Sequence, residues 1–218
     1  MILFELVGDE NNPSYQALAV SNGNRQYSFL LSIVEIATAI GRPFLSEHVI
    51  KALNFQAITC LHTNAGEYRP CPVTLGAGVH TPPPHYRVDA LMEDFVNYVN
   101  RSWSETDPLV LASFVLWRLN YIHPFINGNG RTARAACYFV LCLHIGQLLP
   151  GKTILPELIK RERPKYVDAL RAADQSFVAG NLDLGALHAL LSDLIYEQIH
   201  GTPPPPPPPP LALPSPAP

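Results

Sequence analysis

Charge is scarce in this chain. Asp, Glu, Lys and Arg make up 15% of its 218 residues, where an average soluble domain carries roughly 25%. Fifteen basic against eighteen acidic residues leave a net charge of −3. That balance excludes a nucleic-acid binder working through a general basic field, while leaving a local arginine cluster open. The cysteines Cys60, Cys71, Cys137 and Cys142 form no CxxC and share no spacing. Neither a zinc site nor a disulfide framework is indicated, and reduced thiols in a cytoplasmic protein are expected. The longest apolar stretch, Ala135 to Ile145, is too short to span a bilayer and contains His144. The opening MILFELVGDE has no basic region ahead of its apolar residues and acquires acids at once, so no signal peptide is expected. There are no internal repeats.

What is present is apolar. Hydrophobic residues make up 47% of the chain, enough for one domain with a substantial core. Such a composition implies much buried helix, or an apolar surface kept for a partner. The first 27 residues contain turn-rich pieces, Asn11-Asn12-Pro13 and Asn22-Gly23-Asn24, and read weakly. A helix is expected over Ser28 to Ile40, closed by Gly41 and Pro43. Ser46 is an N-cap for a helix running to about His62, with Val49, Ile50, Leu53, Ala57, Ile58 and Leu61 on one face. Residues 66 to 87 lose the helical period and predict a short β-hairpin or flap ending in Pro82-Pro83-Pro84.

Periodicity returns with Val88, Leu91, Met92, Phe95, Tyr98 and Val99. Asp107-Pro108 starts a helix, LVLASFVLWRLNYI, that has almost no polar face and belongs at the centre of the domain. A second apolar helix is expected from about Asn129 to Ile145, stopped by Gly146 and Pro150. Further helices are predicted at 155–162, 165–179 and about 183–200. After Gly201, TPPPPPPPPLALPSPAP holds eleven of the 23 prolines and predicts a disordered polyproline-II tail. The organisation expected is therefore an N-terminal segment (1–44) with a helix, a mostly α domain with a small β flap (45–200), and the proline-rich tail (201–218).

Between the two central helices lies HPFINGNGRTAR, residues 123–134, a polar, positively charged turn inside the best core-forming sequence. Its glycines allow positive φ and close approach of the backbone to a ligand. The N–H groups of Gly128, Asn129 and Gly130 open the following helix, where free amides and the helix dipole favour an anion. Arg131 and Arg134 are three apart, hence on one face of the first turn, at a spacing suited to neighbouring phosphates. His123 precedes the turn with a reference pKa near 6.5, that of a general base at neutral pH. Phosphate-handling chemistry is the inference. A dinucleotide fingerprint is excluded because a capped helix, not a strand, precedes the glycines, and a Walker A loop because no Gly-Lys-Ser/Thr closes it. A purely structural turn explains the glycines but not His123, Arg131 and Arg134 together.

The stretch closely resembles the signature of the Fic domain, HPFx(D/E)GNGRxxR, and departs from it only at the acid. AGEYR (65–69) and GVHTPPP (78–84) are similar to the segment leading into the Fic flap, and Met92, Phe95 and Trp103 fall where the family's next helix carries its core. The resemblance implies a helical bundle with a small β-hairpin flap beside the active-site loop. It also implies transfer of AMP from ATP to a Ser, Thr or Tyr hydroxyl of a target protein. Carried over by position, His123 is the base. Gly128, Asn129 and Gly130 bind α- and β-phosphate oxygens, Arg131 the β-phosphate and Arg134 the γ-phosphate, and Phe125 anchors the loop. The flap, including Gly78, Val79, His80 and Thr81, pairs with an extended target segment.

Asn127 stands where the family has its metal-binding acid. A carboxamide oxygen can coordinate Mg2+ but brings no charge, so weaker metal retention is expected. A lower rate, another transferred phosphate-containing group, or a catalytically weak nucleotide-binding module acting through a partner all stay open. Many relatives restrain themselves with an inhibitory helix, (S/T)xxxE(G/N). Glu35 lacks the hydroxyl four residues earlier, and Thr153 to Glu157 fits only the first half, so both acids are read as ordinary ones. A regulatory or antitoxin partner and a homodimer are compatible with the resemblance. Nucleic acid and membrane are not expected as partners.

Overall fold

The computed structural model describes residues 2–41, 43–76 and 80–201. Its elements are nine α-helices among the described residues: α1 (Leu3–Val7), α2 (Pro13–Ile40), α3 (Glu47–Ile58), α4 (Val88–Ser102), α5 (Pro108–Ile122), α6 (Asn129–Ile145), α7 (Leu155–Arg161), α8 (Arg163–Val178) and α9 (Gly185–His200). The two helices without a polar face, α5 and α6, pack along each other in the middle. The buried side chains Leu116, Leu119, Ile122, Ala136, Phe139 and Val140 lie in their shared core. α3 and α2 lean on α6 from one side, while α4, α8 and α9 cover α5.

Local signals set several ends. Ser46 Oγ accepts from Val49 N at 3.2 Å and begins α3. Asp107 Oδ1 accepts from Leu109 N (2.8 Å) and Val110 N (3.2 Å) to begin α5, with Pro108 in the first turn. Gly146, at φ 83°, ends α6.

Two expectations are corrected. The helix expected from Ser28 begins instead at Pro13, capped by Asn12, and runs through Asn22-Gly23-Asn24 without a break. Tertiary contacts override the turn propensity there: the buried Asn22 donates from Nδ2 to Thr59 O at 2.9 Å, and Gln26 donates to Leu53 O at 2.9 Å. The expected β-hairpin is not found among the described residues of 66–87, which form irregular chain and a 3-10 turn at His85–Arg87. Prolines 70, 72, 82, 83 and 84 remove ladder donors, and buried Arg69 takes the backbone carbonyls of Cys71 and Pro83. Gly78 and Val79 of the flap, and the proline-rich tail beyond Gly201, lie outside the described residues. Among the described residues no helix is long and apolar enough to cross a membrane.

Candidate active site

The loop between α5 and α6 is built to hold one shape. His123 terminates α5 in the left-handed region (φ 51°, ψ 58°), a conformation uncommon for a residue with a Cβ and kept only where the surroundings enforce it. Phe125 is fully buried and packs against the Tyr68 ring, tilted at 47° with centroids 5.6 Å apart. Asn129, nearly buried, closes the loop on itself: Phe125 N donates to its Oδ1 at 2.9 Å, and its Nδ2 donates to Phe125 O at 2.8 Å. Its side chain thus faces inward, leaving only its backbone for a ligand. Gly128 has φ 76°, and a Cβ there would lie 2.6 Å from Ile58 Cγ2. No other residue fits without displacing α3.

Two braces come from distant parts of the chain. Buried Asn54 on α3 donates to Asn127 O at 2.9 Å and to Thr132 Oγ1 at 3.2 Å, while its Oδ1 accepts from Gly66 N at 3.0 Å. Arg69 donates from its backbone N to Pro124 O (2.8 Å) and from Nε to His123 O (2.8 Å). Its remaining nitrogens hold Cys71 O and Pro83 O. One guanidinium therefore ties the α5–α6 turn to the segment around Pro83. Neither residue announced this role in the sequence. The available signals were a lone Asn among the apolar residues of α3 and the place of Arg69 at the end of AGEYR; the burial of both is decided by the fold.

His123, Asn127, Gly128, Asn129, Gly130, Arg131 and Arg134 line one open cavity of about 290 Å3. The His123 pKa is lowered to about 4, chiefly by burial; the nearby Asn120 carbonyl opposes the shift, and the charges of Arg69 and His80 add to it. The imidazole is therefore neutral at pH 7 and able to accept a proton. Burial also lowers both loop arginines from their ordinary value, yet leaves guanidinium groups charged. Arg134 makes no hydrogen bond or ion pair among the described residues. A largely enclosed cation in that state favours an anionic ligand. Arg131 donates to Ala57 O (2.8 Å) and to Asn127 Oδ1 (3.1 Å).

Behind the arginines a larger space of about 500 Å3 opens between α2, α6 and the start of α7, with Lys152, Lys160 and Glu157 on its wall. Glu157, set aside in the sequence as an ordinary acid, faces this space and acts electrostatically on Arg134. Glu35 is exposed on α2.

The flap-side residues lie beside the end of α5. His80 Nε2 donates to Tyr121 O at 2.7 Å, and its ring stacks on Tyr121 at 4.2 Å, which pins this part of the flap to the end of α5. Thr81 is exposed. Arg118 lies beside the rings of Trp117, Tyr121 and Phe177 at 5.5–5.6 Å.

Asn127 meets an unforeseen neighbour. Its Nδ2 donates to Glu10 Oε1 at 2.9 Å. Glu10 stands on the short α1–α2 connection, where Gln16 Nε2 holds its carbonyl at 2.6 Å. The same Oε1 lies 3.2 Å from His62 Nε2, which is also 2.8 Å from the Tyr15 hydroxyl. Carboxylate and carboxamide oxygens are hard donors of the kind Mg2+ prefers, so the residues at this rim fit that ion.

A helix N-terminus with close-approach glycines, two half-buried arginines and a neutral histidine line one cavity on a helical scaffold, a combination suited to an anionic ligand. Residues 44–141 match the family model described as "Fic/DOC family". Two curated relatives named "Protein adenylyltransferase Fic" share this region. One, from Drosophila willistoni, is 34% identical over 112 residues, 50% of this chain and 20% of its own length. The other, from Drosophila yakuba, is 35% identical over 112 residues, 50% of this chain and 21% of its own length. The chain thus spans about a fifth of the curated relatives it matches. Among solved structures, Fic-1 (aa134–508) from C. elegans superposes with a TM-score of 0.65 at 22% identity, covering 83% of this chain and 49% of that one. A Fic-domain-containing signalling protein from Bacteroides thetaiotaomicron gives 0.67 at 23% identity, covering 91% and 76%. The fold is a Fic fold.

Proposed function

We propose that this domain transfers AMP from ATP to the hydroxyl of a Ser, Thr or Tyr on a target protein. The observation that carries the proposal is one cavity lined by a neutral His123 together with Arg131, Arg134 and the glycine loop. The relatives' printed name, protein adenylyltransferase, points the same way.

In this reading the His123 ring takes the hydroxyl proton, and the oxygen forms a bond to the α-phosphorus of ATP. The α–β phosphoanhydride bond breaks and pyrophosphate leaves. Because Asn120 O sits beside one ring nitrogen, a proton held there leaves the other nitrogen free to accept. Amides of Gly128, Asn129 and Gly130 cradle α- and β-phosphate oxygens, while Arg131 and Arg134 neutralise the leaving pyrophosphate. Catalysis of this kind is mostly positioning and charge stabilisation. The flap residues Gly78, Val79, His80 and Thr81 guide the target segment toward His123. Mg2+, held near Asn127, supplies positive charge against the phosphate oxygens. A cytoplasmic location, a regulatory or antitoxin partner and a second copy are each compatible with this reading.

The test is incubation of the purified chain with labelled ATP and a lysate, with mass analysis of modified proteins. An adduct of AMP on a hydroxyl, lost in His123→Ala, supports the proposal. Bound ATP without any adduct favours a nucleotide-binding module, and an adduct of another mass names a different transferred group.

A further inference from the structure

The proposed reaction needs a negative charge beside the phosphates to retain a divalent cation, and Asn127 has none to offer. The residue three-dimensionally next to it does. We propose that Glu10 supplies the missing carboxylate, so that Glu10 and Asn127 together hold the divalent cation at the mouth of the phosphate loop. The proposal rests on the nucleotide-transfer reading above.

Four observations lead there. Glu10 Oε1 lies 2.9 Å from the Asn127 amide nitrogen. Cis oxygens around Mg2+, at 2.0–2.1 Å from the metal in an octahedron, sit about 2.9 Å apart. If the amide turns over, its Oδ1 takes the nitrogen's place, and the pair forms one edge of such a site. The present amide orientation is held by Arg131, which donates to Oδ1 at 3.1 Å; phosphate oxygens that draw that guanidinium away release the amide to turn.

Next, Glu10 is held in position through its backbone. Gln16 Nε2 donates to Glu10 O at 2.6 Å, Asn12 N to Asp9 O at 3.2 Å, and Asn12 caps α2 through Ser14 N at 2.9 Å. The carboxylate is also accessible: its side chain is 51% exposed. Finally, among the described residues no Lys or Arg pairs with Glu10; the one ion-pair contact is His62 Nε2 at 3.2 Å. Tyr15 and the Arg131 guanidinium also act on this carboxylate, and phosphate oxygens that draw Arg131 away leave it to a cation arriving with the nucleotide.

The chemistry of Asn127 then has a reason. An acid at position 127 would put two carboxylates 2.9 Å apart, a repulsive pair in the absence of metal. A carboxamide instead donates a hydrogen bond that holds Glu10 in readiness. The negative charge has moved from the loop to the α1–α2 connection.

The experiment uses the full chain, Mn2+ as probe and an ATP analogue with a methylene α–β bridge. Free Mn2+ is read by its paramagnetic resonance signal, and analogue affinity without metal is read by calorimetry. Glu10→Gln is expected to weaken Mn2+ binding by the protein–analogue complex about tenfold or more, without a fall in metal-free analogue affinity. The exchange variant Glu10→Gln/Asn127→Asp is expected to restore Mn2+ binding to within about threefold of the original chain. Equal Mn2+ affinity in Glu10→Gln and the original chain overturns the proposal and leaves the transfer reading standing. So does tighter metal-free analogue binding in Glu10→Gln with unchanged Mn2+ affinity, because Glu10 is then only a competitor for the phosphate site. If the original chain binds no analogue at all, the transfer reading falls and this proposal falls with it.

Discussion

Arg69 Nε donates to the carbonyl oxygen of His123 at 2.8 Å, across 54 residues of sequence. The bond fixes the backbone of the residue proposed as base in its left-handed conformation, while the other end of the same guanidinium holds Pro83 O on the flap segment. Arg69→Ala would leave the carbonyls of His123, Cys71 and Pro83 without their donor. A loss of about 2–4 kcal/mol in unfolding free energy is expected, read from denaturant titration. Arg69→Lys keeps one or two of these bonds and should fall between. Unchanged stability in Arg69→Ala would show the clamp to be dispensable.

His123→Ala should abolish transfer while leaving ATP affinity nearly intact, because the imidazole acts on the incoming hydroxyl. Separate measurement of adduct formation and of ATP binding by calorimetry checks this.

The pH dependence follows from the burial of His123. Its folded pKa, about 4, lies below the unfolded value near 6.5. The active neutral form is therefore present at neutral pH and lost only as pH falls through about 4. The profile of kcat/KM should stay flat well below pH 6.5 so far as His123 governs it. The same depression makes the unfolded chain bind more protons between about pH 6.5 and 4, so stability falls as pH drops through that window. His123→Gln should flatten that part of the stability curve. An activity midpoint at pH 6.5 would contradict the effect of burial.

Gly128→Ala combines a positive φ with a Cβ 2.6 Å from Ile58 Cγ2 and 3.0 Å from the amide of Asn54. The expected cost is about 2–4 kcal/mol of stability. ATP binding should weaken as well, since Asn54 steadies the loop through Asn127 O.

Arg131→Ala and Arg134→Ala should each weaken ATP binding by about 1.5–3 kcal/mol, the scale of a charge-assisted hydrogen bond. Only Arg131→Ala should also lower stability, because Arg131 already holds Ala57 O. Calorimetry with ATP and thermal unfolding separate the two. Unaltered ATP affinity in both variants would remove the phosphate site.

What the sequence determined by itself was local. Ser46, Asp107-Pro108 and Gly146 mark helix ends because capping involves residues two to four apart. The apolar runs of α5 and α6 required a central position, and HPFINGNGRTAR suggested a phosphate site because its histidine, glycines and arginines lie within one turn and one helical start. Tertiary structure alone decided the rest. Helix α2 runs through Asn22-Gly23-Asn24 because Asn22 finds Thr59 O, 37 residues away. Asn54 reaches Asn127 across 73 residues and Glu10 reaches it across 117. Glu157 joins the arginine cavity because α7 packs on α6. No sequence period encodes such meetings: each is one polar side chain placed by how whole helices stack, and its partner is settled only when their apolar faces have found each other.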